Sequence, residues 1–269
     1  MKLMAQINRL LPYLKKPSDM NTLNNVLVVS NSGLGDTILS TPSIVSLRKS
    51  FPDINITFML NKNIYPLFDG FEFVDGFILY SSGFFNQLRI ISDLRKRKID
   101  TIFLFHSNGP EDIFFSILSH AKNILKMTDN LNHEFQNIFL NPPNNLLQHD
   151  IEKKLDLVRL FNPSNILKEV LIPKHFYQKY GFINKIQYYK YIGIQLGAQD
   201  EYKMWPVDNF IDLIDKLNIK FQNINFVLLG STKFEHKLAA KVENTVQKLE
   251  SITNLCGKSS VEELPIIFN

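Results

Sequence analysis

Runs of apolar residues alternate along the chain with stretches of helical periodicity. Val26–Ser30 (VLVVS) is a continuous β-branched run and predicts a buried strand. Gly33 and Gly35 follow it, and a helix is expected over Thr37–Ser50. Further strands are expected at Ile54–Leu60, after the turn signal Phe51-Pro52-Asp53, at Val74–Tyr80 and at Thr101–Phe105. Helices are expected at Ile113–Ser119 and Leu147–Phe161, and Arg95-Lys96-Arg97-Lys98 reads as a solvated basic helix end. Strands separated by helices imply βαβ crossovers and a parallel sheet. The pattern loosens around 162–190 and then restarts. Strands are expected at Tyr191–Leu196, Phe226–Leu229 and Ile252–Leu255, with helices at Val207–Ile219, Phe234–Leu249 and Val261–Ile267. The reading is α/β, with an N-terminal Rossmann-like domain over 23–180 and a C-terminal one over 181–269. Three strands are few for an independent sheet, so the C-terminal domain is expected to be incomplete.

Residues 1–22 precede this scheme. Leu3, Met4, Ile7, Leu10, Leu11 and Leu14 recur at helical spacing, and Lys2, Arg9 and Lys16 fall near the other face. Such a helix either packs on the protein's own body or lies in the headgroup region of an anionic membrane. Gln6, Asn8 and Arg9 interrupt it too early for a signal peptide, and no window reaches the ~20 apolar residues of a membrane span.

Composition narrows the class. Hydrophobic residues are 45% and charged residues 21% of 269, which fits a folded chain, and a net charge of +4 is too small for a nucleic-acid binder. The single cysteine, Cys256, excludes a disulfide framework and fits a reducing, cytoplasmic compartment. Six histidines form no ligand pair, so no metal is expected.

Three constellations carry candidate chemistry. Ser30-Asn31-Ser32-Gly33-Leu34-Gly35-Asp36 joins the first strand to the first helix. A dinucleotide fingerprint would need glycine or alanine at Ile38, and no Gly-Lys-Ser/Thr completes a phosphate loop. Asp36 stands at the carboxyl edge of the sheet, where ligands bind in open α/β folds, or else it caps the helix at 37–50. The second constellation is Gly197-Ala198 followed by Lys203-Met204-Trp205-Pro206, where Lys203 beside a helix start makes an anion site or an ordinary exposed lysine. The third is Leu228-Leu229-Gly230-Ser231 with Glu235, an acid placed either to accept ribose hydroxyls or to sit solvated at a helix start.

Taken together these pieces resemble the lipopolysaccharide heptosyltransferases of glycosyltransferase family 9. The matching segments are VLVVSNSGLGDTILSTPSIVSLRKSFPD with Asp36, Thr41 and Pro42, then IGIQLGAQDEYKMWP, FVLLGSTKFEHKL and NLCGKSS. The resemblance implies two facing Rossmann-like domains (the GT-B fold). It also implies inverting transfer of a heptose-like sugar from a nucleoside-diphosphate donor to a lipopolysaccharide or related glycan, with no cofactor and no metal. Asp36 would be the general base, and Ser32, Gly33 and Gly35 would shape the acceptor side. Gln195, Gly197, Lys203, Gly230 and Glu235 would bind the donor. A basic amphipathic start, as in many members, implies contact with the inner face of the cytoplasmic membrane. Gln195 replaces the histidine common in the family. The family's Asp-Ser/Thr-Gly-Pro-x-His motif does not occur before Asn269, so the sequence reads as C-terminally truncated. The alternative reading is a relic without transferase activity that binds glycolipid or a partner.

Overall fold

The computed structural model describes residues 23–106, 110–126, 148–173, 190–198, 200–221 and 223–267; the expected amphipathic helix at 1–22 lies outside them. The chain divides into two compact units between Pro173 and Lys174.

In the first unit, β1 (Asn25–Ser30), β2 (Asn55–Asn61), β3 (Gly76–Tyr80), β4 (Thr101–His106) and β5 (Asn123–Lys126) form one parallel sheet in the order β3-β2-β1-β4-β5. Its two faces are both apolar because β1, β2 and β4 are nearly continuous hydrophobic runs, the pattern of a sheet covered on both sides. On one face Val26, Val28, Phe58 and Phe103 pack with Ile44 and Leu47 of α2 (Thr41–Ser50), Phe68 of α3 (Tyr65–Phe68), and Leu157 and Val158 of α6 (Asp150–Arg159). On the other, Leu27, Val29, Met59 and Leu104 pack with Ile90, Ile91 and Leu94 of α4 (Phe84–Lys96) and Phe115 of α5 (Pro110–Leu118). The expected doubly wound arrangement is therefore present. The strand β5 and the short α3 escaped the sequence pattern.

The helix expected at 37–50 is two helices. α1 (Leu34–Ile38) begins three residues earlier, and α2 starts at Thr41 with a proline in its first turn. Pro42 has no N–H to bond the carbonyl of Ile38 four residues back. The Thr41 hydroxyl donates to that carbonyl instead, at 2.8 Å, so the chain turns without leaving it unpaired.

The second unit has a parallel three-stranded sheet, β6 (Lys190–Gln195), β7 (Ile224–Leu229) and β8 (Ile252–Asn254), in sequential order. Ile194, Phe226 and Leu228 form a core with Ile211 and Ile214 of α7 (Val207–Lys220) and Ala239 and Val242 of α8 (Lys233–Thr245). The helix expected at Val261–Ile267 is a 3₁₀ turn, Val261–Glu263, followed by α9 (Leu264–Ile267).

Candidate functional site

The strand order of the first unit reverses between β1 and β4. Beyond the carboxyl ends of such strands the following loops part and leave a crevice, the usual binding position in open α/β sheets. Both flanks of this switch point carry a titratable side chain. Asp36 follows β1, and His106 ends β4. The β1–β4 register slips after Val29, so that Ser30 pairs with His106 and Phe105 is skipped; such a bulge re-aims the side chains beyond it. His106 Nε2 then lies 3.4 Å from Asp36 Oδ2, each side chain about one-third exposed (32%). The same carboxylate oxygen accepts from Ser32 Oγ at 2.9 Å. Within the described residues His106 Nδ1 is buried and has no partner.

Asp36 is not a helix cap. It occupies the third position of α1, whose cap residue is Gly33, and no side chain caps that end. Its carboxylate is instead turned back to Ser32 and His106. Gly33 and Gly35 are not demanded by the fold. Neither lies in the left-handed region, a side chain at Gly33 would only touch Asp36, and one at Gly35 would meet nothing within 4 Å. Space beside Gly35 is therefore open, as a loop approached by a ligand requires.

Two buried ionisable groups hold this loop from below. Lys154 on α6 is fully buried, and its ammonium donates to the backbone carbonyl of Asp36 at 2.8 Å. Burial lowers its pKa to about 8, against the opposing pull of Asp36 and Asp150. Asp112 on α5 accepts from the Asn31 side-chain amide at 2.7 Å, and burial raises its pKa to about 6. The Asn31 carbonyl oxygen is buried with no partner. Sequence reasoning missed Lys154, Asp112 and His106. A signal existed for Lys154, because Ile151, Lys154, Leu155 and Val158 share one helical stripe and the lysine is its sole charge.

In the second unit, the structure brings together Gln195, Gly197, Gly230 and Glu235. Glu235 is not a solvated acid. It is buried at the third position of α8, in a reciprocal capping box with Thr232. Its Oε2 accepts from the amides of Ser231 and Thr232, both at 2.8 Å, and its Oε1 accepts from Gln195 Nε2 at 2.8 Å. Burial alone would raise its pKa, but those amides and Gln195 outweigh burial and hold it below the ordinary value. The two glycines are dictated by this carboxylate. A side chain at Gly197 would stand 2.5 Å from Oε1, and one at Gly230 would stand 2.7 Å from the Glu235 Cβ.

Lys203 is held apart. It closes a 3₁₀ turn, Glu201–Lys203, pairs with Asp200 at 2.7 Å and is more than half exposed. That carboxylate raises the lysine pKa. No bond joins Lys203 to the Glu235 cluster among the described residues. Cys256 is buried, which pushes its thiol up to about 11. No group of three or more His, Cys, Asp or Glu able to hold a metal occurs among the described residues, and none of their helices is long and apolar enough to cross a membrane.

Comparison with known proteins bears out the resemblance read from the motifs. Residues 148–268 match the family model of glycosyltransferase family 9 (heptosyltransferase). A glycosyl transferase family 9 structure from Veillonella parvula superposes with a TM-score of 0.72 at 17% identity, covering 91% of this chain and 72% of that one. The E. coli ADP-heptose lps heptosyltransferase II gives 0.68 at 16%, covering 90% and 76%. E. coli heptosyltransferase WaaC with ADP gives 0.65 at 16%, covering 90% and 77%. The fold is thus that of the heptosyltransferases, the expected GT-B class. A search of the curated proteins found no match.

Proposed function

We propose, from the match of residues 148–268 to the family 9 model and from the heptosyltransferase fold, that the chain transfers a sugar from a nucleoside-diphosphate donor to a surface glycan. Transfer would proceed with inversion at the anomeric carbon, and Asp36 would serve as general base. The observation that carries the reading is the Asp36 carboxylate at the β1/β4 switch point, partly exposed and fixed by Ser32 and His106.

The acceptor hydroxyl gives its proton to Asp36 while its oxygen forms the bond to the anomeric carbon. The bond from that carbon to the donor's diphosphate oxygen breaks, and its electron pair leaves with the nucleoside diphosphate. Lys203 neutralises the charge that grows there. Its present partner Asp200 is an exposed carboxylate on the same turn, and solvent screens such a surface pair, so a diphosphate can displace it. Of the two Glu235 oxygens, only Oε1 has capacity left for a ribose hydroxyl, because Oε2 is taken by two amides. Gln195 aims that oxygen, and Gly197 and Gly230 admit it. Ser32, Gly33 and Gly35 border the acceptor, with Lys154 pinning the Asp36 backbone. ADP-heptose, the sugar nucleotide named for the E. coli relative, is the first donor to try.

The test is acceptor-dependent release of ADP from ADP-heptose, with the product's anomeric configuration read by NMR. Inverted product supports the proposal. Release that ignores the acceptor, or retained configuration, overturns it. Calorimetry with ADP separates a transferase from a relic that binds no donor.

A further inference from the structure

Not all of the chain's phenylalanines are core. Phe84 and Phe85 open α4 with 65% and 84% of their surface exposed, and Leu88 one turn on is 45% exposed. They are presented by Gly83, whose φ of +116° suits glycine and turns the chain sharply from β3 into the helix. The buried stripe of α4 is Gln87, Ile90, Ile91 and Leu94, so the three apolar residues face away from the core. Further along that outward side stand Arg89 and Lys96, both exposed and with no acidic partner among the described residues. Arg89 and Lys96 also line a groove of about 680 Å³ beside β3, an edge strand of the sheet among the described residues, where Leu79 is 48% exposed.

We infer that this face of α4, with the neighbouring edge strand β3, docks on an anionic lipid bilayer. Large apolar side chains exposed next to unpaired cations fit that surface. The rings enter the acyl boundary while the cations meet lipid phosphates. Position agrees. Parallel pairing puts the carboxyl ends of β1, β2 and β3 on one edge of the sheet, so the Phe84 end of α4 and Asp36 share that edge, beyond strands spaced roughly 10 Å apart. Docking there brings the Asp36 loop to the plane in which a lipid-anchored acceptor presents its sugar. That last link rests on the proposed transfer; docking itself does not.

The experiment is co-sedimentation of the full chain with vesicles of phosphatidylcholine alone and with about one-third phosphatidylglycerol, at low and high salt. Binding is expected only with phosphatidylglycerol and should fall with salt. The double variant Phe84→Ser/Phe85→Ser should bind at least ~10-fold more weakly, and Arg89→Gln and Lys96→Gln roughly 5-fold each. These residues are exposed, so melting temperature and turnover of a water-soluble acceptor should stay as in the parent chain. Equal partition of all variants overturns docking at α4. So does a shift from dimer to monomer in sedimentation velocity without loss of vesicle binding, which would assign the face to a second copy. Failure of transfer with intact vesicle binding would sink the enzymatic proposal alone.

Discussion

Lys154→Met separates a residue kept for stability from one kept for the site. The lysine is fully buried, and lowering its pKa from 10.5 to about 8 corresponds to roughly 3 kcal/mol spent on holding the charged form inside. Methionine fills similar volume without a charge. The Asp36 carbonyl still accepts from Ser40 Oγ at 2.8 Å, so losing the ammonium leaves it bonded and costs about 1 kcal/mol. The variant should therefore be about 2 kcal/mol more stable at pH 7, or ~4–8 °C in melting temperature. The sign with pH follows from linkage. Between about pH 8 and 10.5 the unfolded chain keeps the proton that the folded chain has released, so the parent gains stability relative to the variant. The gap should close across that window and be widest below pH 8. Paired thermal melts from pH 7 to 10.5 measure it, and transfer by the variant should fall ~10-fold or more as Asp36 loses its tether. A variant less stable at pH 7, or a gap that ignores pH, refutes this reasoning.

Other variants probe the same framework. Asp112→Asn should stabilise the first unit by ~1–3 kcal/mol at pH 7, because burial disfavours the charged carboxylate and the new amide can also satisfy the Asn31 carbonyl; denaturant melts at pH 7 and 4.5 should show the gain shrinking as the parent's Asp112 takes up its proton. Gly35→Ala meets no atom within 4 Å and removes a helical glycine, so stability should rise by ~0.5–1 kcal/mol while acceptor KM worsens; an unchanged KM would place the acceptor elsewhere. Gly197→Ala pushes into Glu235 and should cost ~1–3 kcal/mol by calorimetric unfolding, with weaker nucleotide binding by titration calorimetry.

The sheets were legible because strands such as β1, β2 and β4 are nearly uninterrupted apolar runs between turn signals. β5 was not, since Asn123–Lys126 offers only Ile124 and Leu125 between polar ends. The break between α1 and α2 could have been read from Pro42, a residue that removes one helical bond. Placement of the loop residues at the carboxyl edges followed from strand–glycine–helix order. What lay beneath them did not, because Lys154 and Asp112 arrive from helices 118 and 76 residues away from Asp36 in sequence. His106 reaches Asp36 through a bulge that no periodicity announces. Glu235 resembled a surface acid for want of its partners. Its burial follows from two glycines and a glutamine contributed by the carboxyl ends of β6 and β7.

The reading of Asp36 as base is tested most directly by Asp36→Asn. The amide keeps the shape and can still bond Ser32, but it cannot take a proton. Transfer should drop at least ~10³-fold while nucleoside-diphosphate affinity, measured by calorimetry, stays within about twofold of the parent. Turnover within tenfold of the parent would contradict the assignment and move the base to another group at the switch point, His106 first.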